Sequence, residues 1–127
     1  MSDKSSLGTI GWFDLTVKNA KPLSQFFADV VGWGIEETPV DEYSMTHADT
    51  GHPLSGICHQ KGQNVGIPSQ WLIYVYADNI EERSKKIETL GGTIIKGPSE
   101  PSSNVRFTIF RDPQGAVMFL FEAATKT

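Results

Sequence analysis

The chain has 127 residues, of which 39% are hydrophobic, enough for one compact domain that buries roughly two-thirds of its unfolded surface. Its formal net charge is −4 and its 11 Lys and Arg are scattered, which argues against nucleic acid or an anionic membrane as partner, because phosphate binding needs clustered cations. One cysteine cannot form an internal disulfide, residues 1–10 lack the charged start and apolar run of a secretory signal, and no apolar run approaches the roughly 18–20 residues that cross a bilayer. A reducing, cytoplasmic setting is the expectation.

In chain order, residues 1–7 read as a loose tail. FDLTV, residues 13–17, is a short β-branched and aromatic run and predicts a strand. Asn19 is placed to cap a helix in which Pro22 sits in the first turn and Leu23, Phe26, Phe27, Val30 and Val31 recur at helical spacing, with Gly32 closing it. YSMTHADTGHPLSGICHQ then reads as strands around a turn. Residues 60–70, QKGQNVGIPSQ, hold Gly and Pro with no period and form the expected linker. LIYVY predicts another strand, and Asn79 opens a second helix with Ile80, Ile87 and Leu90 inward, its Glu and Lys runs facing water, and Gly91 and Gly92 behind it. VRFTIF and VMFLFE are strands joined by the tight turn RDPQG.

The two halves repeat. At an offset of 60, Trp12 falls on Leu72, Asn19 on Asn79, Ser24 on Ser84 and Gly32 on Gly92; at an offset of 62, Thr46 falls on Thr108, Ile57 on Phe119 and His59 on Phe121. Each half therefore reads β-α-β-β-β, an α+β arrangement. FDLTVKNAKPLSQFFADVVGW, VYADNIEERSKKIETLGGTI and the closing DPQGAVMFLFE together resemble the vicinal oxygen chelate group, which comprises glyoxalases, bleomycin-resistance proteins and extradiol dioxygenases. The segment GICHQKGQN followed by PSQWLIYV resembles a subgroup of small glyoxalase-like members.

The resemblance implies one domain over 8–127, with module one at 8–60, the linker at 60–70 and module two at 71–122. It implies an open, cup-shaped mixed sheet with helices on the convex side, a small-molecule ligand in the cup, and a homodimer. Metal-binding members place His, Gln or Glu at four positions that here match Trp12, Ile57, Leu72 and Phe119. None of these supplies the oxygen or imidazole donor a divalent ion needs, so no metal cofactor is expected.

Strand alternation sorts the remaining side chains. The rows Phe13, Leu15, Val17 and Ile73, Val75, Ala77 are expected under the helices, leaving Trp12, Asp14, Thr16 and Leu72, Tyr74, Tyr76 in the cup. Val105, Phe107 and Ile109 are read as a packed row, with Arg106, Thr108 and Phe110 on the cup side; Met118 and Leu120 point inward, and Phe119 and Phe121 line the cup. If Ile57 shares the face of Phe119, Cys58 is a buried thiol in the helix-packed layer and His59 enters the cup. His47 is expected to be partly buried and structural, and His52 exposed.

Trp12, Asp14, His59, Leu72, Tyr74, Arg106, Phe119 and Phe121 are thus the expected ligand-binding residues. Two function classes fit them. One is metal-free binding of a small aromatic or amphipathic molecule in an aromatic cup. The other is a metal-independent isomerase or lyase that uses His59 with Asp14 or Tyr74 as acid and base. A site built from His47, His52 and His59, with metal-dependent lyase or dioxygenase chemistry, requires a different register for the hairpin that carries them.

Overall fold

The β-branched and aromatic runs form eight strands and the two periodic segments form helices, giving an α+β chain. The computed structural model describes residues 7–39, 42–100 and 105–123; of the expected tail, residues 1–6 lie outside that range and Leu7 begins a turn. The order is β1 (Ile10–Val17), α1 (Ala20–Val31), β2 (Gly34–Glu37), β3 (Tyr43–Thr46), β4 (Pro53–His59), β5 (Leu72–Tyr76), α2 (Ile80–Thr89), β6 (Thr93–Lys96), β7 (Val105–Arg111) and β8 (Val117–Ala123). These are the two β-α-β-β-β modules that the repeat predicts. The chain divides into two compact units, residues 12–71 and residues 72–127, and the second also takes in residues 1–11. Gly8 and Thr9 accordingly exchange backbone hydrogen bonds with Tyr76. Among the described residues, no helix is long and apolar enough to cross a membrane.

In the first unit the sheet order is β2-β3-β4-β1. β1 and β4 run parallel, while β3 is antiparallel to both β2 and β4. Ala20, Leu23, Ser24 and Phe27 recur at i, i+3, i+4 and i+7, the stripe by which a helix meets a sheet. Ala20 packs with Leu15, Tyr43, Met45 and Ile57 in the core, and Leu23, Phe27, Val17 and Trp33 close around them. The apolar side of α1 is broader than the sheet beneath it, so Phe26, Val30 and Val31 are half or more exposed rather than buried. Phe27, Trp33 and Trp71 form an aromatic cluster with ring centroids 5.5–6.1 Å apart, in which Trp71 meets the other two rings edge-on.

The second unit repeats the order as β5-β8-β7-β6, again with one parallel pair, β5 and β8. Ile80 and Ser84 are the buried residues of α2. Both helices end on glycine as expected: Gly32 takes φ 88° and donates to Ala28 O, and Gly91 takes φ 99° after α2. Neither Asn19 nor Asn79 caps with its side chain, contrary to expectation; Asn79 instead adopts a left-handed φ of 49°. The acidic pair Glu81 and Glu82 in the first turn of α2 meets the positive end of the helix dipole instead.

Two strands present the opposite faces from those expected. On β4 the parallel register sets Leu15 against Ile57, Thr16 against Cys58 and Val17 against His59. Ile57 therefore joins the helix-side core, Cys58 takes the helix-free face, and His59 turns to the helix side. The offset of 62 does not hold here: Asp14 pairs with Gly56 as Tyr74 pairs with Phe119, so Gly56 rather than Ile57 is the counterpart of Phe119, and a slip of one residue inverts the faces. On β7, Phe107 stands opposite Phe121 and Thr108 opposite Leu120, so Phe107 belongs to the helix-free face while Arg106, Thr108 and Phe110 face α2. Both rows of β7 are largely apolar, and alternation alone does not tell them apart.

Candidate functional site

Each module offers its helix-free sheet face, and the two faces differ in chemistry. In the first, Trp12 and Asp14 lie two residues apart on β1 and so share a side, with Trp12 Nε1 donating to Asp14 Oδ1 at 2.8 Å. Gly56 lies directly opposite Asp14 in the parallel pair. A Cβ there would collide with the Asp14 carboxylate, so the glycine lets the acid lie flat against β4. Trp12, Asp14, Glu42, Ser44, Gly56 and Cys58 line a pocket of about 200 Å³. Burial, then the Asp14 and Glu42 carboxylates, push the Cys58 thiol far above its ordinary value. A thiol held protonated is a poor nucleophile. The pocket thus presents hydrogen-bond acceptors and a neutral sulfur.

In the second module the same face is aromatic. Tyr74 and Phe119 are paired across β5 and β8 and stack with centroids 3.8 Å apart and planes 1° from parallel. Phe107 continues the stack at 5.3 Å from Phe119. Phe121 lies 6.0 Å from Tyr74 and 4.4 Å from Tyr76. Leu72, two residues before Tyr74, begins the row and is buried. Helix-side packing uses none of these rings; it uses the alternate row, including Val75 and Leu120.

Of the expected site residues, Trp12 and Asp14 come together in the first module, and Leu72, Tyr74, Phe119 and Phe121 in the second. His59 and Arg106 do not join them. His59 is half-buried on the helix side, its Nδ1 3.4 Å from Lys18 O and its ring 6.0 Å from that of Tyr43. The pairing of His59 with Asp14 as base and acid is thereby lost, because the two side chains leave opposite faces of the sheet. Arg106 reaches α2, where its Nη2 donates to Glu81 Oε1 at 2.7 Å and to Ser99 O at 3.2 Å. His47, expected to be partly buried, is exposed, and its Nδ1 accepts from Asp49 N and Thr50 N to hold the turn; His52 is exposed as expected. Asp112 shapes the RDPQG turn by accepting from Gln114 N and Ala116 N.

Sequence reasoning missed Phe107, Glu42 and Cys58 as members of these faces. The identity between Phe107 and its cross-strand neighbours Phe119 and Phe121 was a usable signal for the first. Nothing in the sequence alone marks the one-residue change of offset at β4 that brings in Cys58.

The model of the Glyoxalase/Bleomycin resistance protein/Dioxygenase superfamily matches residues 9–118. The chain belongs to this superfamily. Among relatives of this superfamily member, CFP32 of Mycobacterium bovis, which carries a provisional glyoxylase name, is 26% identical over 121 residues, 91% of this chain and 46% of its own length. The anthracycline biosynthesis protein DnrV of Streptomyces peucetius is 25% identical over 123 residues, 86% of this chain and 45% of its own. The chain thus spans under half the length of these relatives. A superfamily member from Vibrio splendidus has the same fold, with a TM-score of 0.54 at 13% identity, covering 90% of this chain and 99% of that one.

Superfamily metal sites draw on the helix-free faces. Trp12, Leu72 and Phe119, which occupy the matching positions, carry no oxygen or imidazole donor. Among the described residues, no group of three or more His, Cys, Asp and Glu side chains is arranged to hold a metal ion. The residues present do not fit a divalent metal held in that way.

Proposed function

We propose that this superfamily member binds a small aromatic or amphipathic molecule on the helix-free face of its second module, without a resident divalent metal. The reading rests on the stack of Phe107, Phe119 and Tyr74, with Phe121 and Tyr76 beside it. Ring faces turned away from the helix side are the surface an apolar, planar ligand uses, by offset or edge-on stacking. The name of DnrV, which ties that relative to anthracycline biosynthesis, is consistent with an aromatic ligand. Leu72 extends the apolar row at its start, and Trp12 with Asp14 supplies a polar pocket in the first module.

The test is a fluorescence titration with anthraquinone-2-sulfonate as probe, on untagged protein whose metal content is known from elemental mass spectrometry. Saturable binding is expected, and Phe119→Ala weakens it about tenfold, the upper range of one lost aromatic contact. Affinity unchanged in both Phe119→Ala and Tyr74→Ala would remove the aromatic face from the reading. One tightly held divalent ion per chain would overturn its metal-free part.

A further inference from the structure

The second module holds a cavity of about 570 Å³ on its other side, between α2 and the sheet. Val75, Ala77, Phe110 and Leu120 form its sheet wall, and Ile87 and Leu90 its helix wall. The cause lies in the sequence of α2. The helix residues that border it are Arg83, Lys86 and Ile87, where the offset of 60 puts Leu23, Phe26 and Phe27 in α1, so a smaller apolar surface faces the sheet. Apolar sheet residues beneath are left partly uncovered. The volume falls within the ~300–1,000 Å³ typical of small-molecule sites.

The charges at the mouth are unequal in availability. Arg83 lines the cavity but is held by Asp78, its Nε donating to Asp78 Oδ1 at 2.9 Å. Asp112, the acid in the lining, has its Oδ1 engaged by two amides of its own turn. Lys86 also lines the cavity, and its ammonium has no salt-bridge or hydrogen-bond partner among the described residues. An apolar recess with one uncommitted ammonium at its edge complements an amphiphile with one negative charge.

We propose that this cavity is a second ligand site, separate from the aromatic face, and that it takes a free carboxylate-headed amphiphile whose chain enters between α2 and the sheet while its head meets Lys86. The site does not depend on the function proposed above, because its walls share only Tyr76 with the aromatic face and none of the stacked rings Phe107, Phe119 and Tyr74.

The test is a titration of the full chain with sodium decanoate below its micelle concentration, followed by methyl NMR shifts. Saturable shifts are expected at Val75, Ile87, Leu90 and Leu120, and decyltrimethylammonium, with the same tail and the opposite charge, binds several-fold more weakly. Lys86→Glu lowers decanoate affinity about fivefold, as befits an exposed charge pair. Leu90→Glu, at a position 73% exposed and therefore tolerant of the change, lowers it as well. Absence of saturable shifts, equal affinity for the two amphiphiles, or shifts at Tyr74 and Phe119 instead would each overturn the proposal. So would binding seen only on phosphatidylglycerol vesicles. A concentration-dependent dimer that Leu90→Glu disperses would assign the groove to a second copy and overturn it too.

Discussion

The two modules share one topology and differ in how well the helix matches the sheet. α1 offers more apolar surface than its sheet can cover: Ala20, Leu23 and Phe27 pack inward while Phe26 remains 54% and Val30 65% exposed. α2 offers less, with Arg83 and Ile87 where α1 has Leu23 and Phe27, and a cavity of about 570 Å³ borders it. The same β-α-β-β-β frame therefore carries a recess of about 460 Å³ beside α1, edged by Lys21, Gln25 and Glu37, and a more apolar one beside α2, walled by Val75, Ile87, Leu90, Phe110 and Leu120. Helix composition, rather than strand order, sets that difference.

That contrast is broken most directly by truncating one sheet residue from each module. Ile57 is fully buried beneath α1, and Ile57→Ala is expected to cost about 2–5 kcal/mol, the transfer of the lost groups plus a new void. Leu120 already borders empty space, so Leu120→Ala adds little void and is expected to cost about 1–2 kcal/mol, chiefly the transfer share. Urea unfolding of both variants measures this. Equal losses would mean that the cavity under α2 is closed in solution.

The helix-free faces extend the contrast, since one holds half-buried carboxylates and a buried thiol and the other holds rings. Burial and the adjacent acids keep Cys58 protonated in the fold, while in the unfolded chain it ionises near its ordinary value of 9.0. Below that value both states carry the proton and pH has no leverage. Above it only the unfolded chain releases the proton, so stability falls as pH rises. Thermal melts across the alkaline range should show a decline that Cys58→Ala lessens. Iodoacetamide should alkylate native Cys58 far more slowly than free cysteine at the same pH. Rapid alkylation of the native protein would place the thiol on an accessible surface.

Much of the fold was legible because its signals are local and repeated. The offset of 60 fixed both modules, and Gly32 and Gly91 fixed the helix ends through left-handed backbone that glycine adopts without strain. Trp12 and Asp14 fell on the expected face because β1 sets an apolar row, Phe13, Leu15 and Val17, against Asp14 and Thr16; Tyr74 followed through the offset of 60, and Phe119 and Phe121 through their fixed distance from the DPQG turn. His59 and Arg106 did not, for two reasons. The offset of 62 put Ile57 on Phe119, whereas the pairing of β1 with β4 makes Gly56 its counterpart, and that one-residue difference inverted every face assigned from Ile57 onward. On β7, an apolar row that packs under a helix and an apolar row that makes a ring stack look the same in sequence; only the pairing of Phe107 with Phe121 separates them.

Arg106 offers a smaller perturbation of the underfilled module. Its contact with Glu81 ties β7 to α2, yet the Glu81 side chain is 53% exposed, so solvent screens the pair. Glu81→Gln is expected to cost at most about 1 kcal/mol. Arg106→Ala also removes an aliphatic stem that packs beside the sheet, and should cost somewhat more. Urea midpoints for the two variants order them; a larger loss for Glu81→Gln would make the ion pair the main tie between strand and helix.

The smallest effect is expected on the overfilled side. Val30 lies on α1 beyond the stripe of Ala20, Leu23, Ser24 and Phe27, and at 65% exposure it contributes little to the core. Val30→Lys exchanges a β-branched residue for one that a helix interior tolerates slightly better. The net change in stability should stay within about 0.5 kcal/mol, as for surface positions generally. Unfolding measured across a range of protein concentrations tests more than this number. If Val30→Lys lowers stability by several times that amount, and does so only at high concentration, the excess apolar surface of α1 is covered by another copy of the chain; the mismatch in the first module would then be an intermolecular contact, while the one in the second remains a cavity.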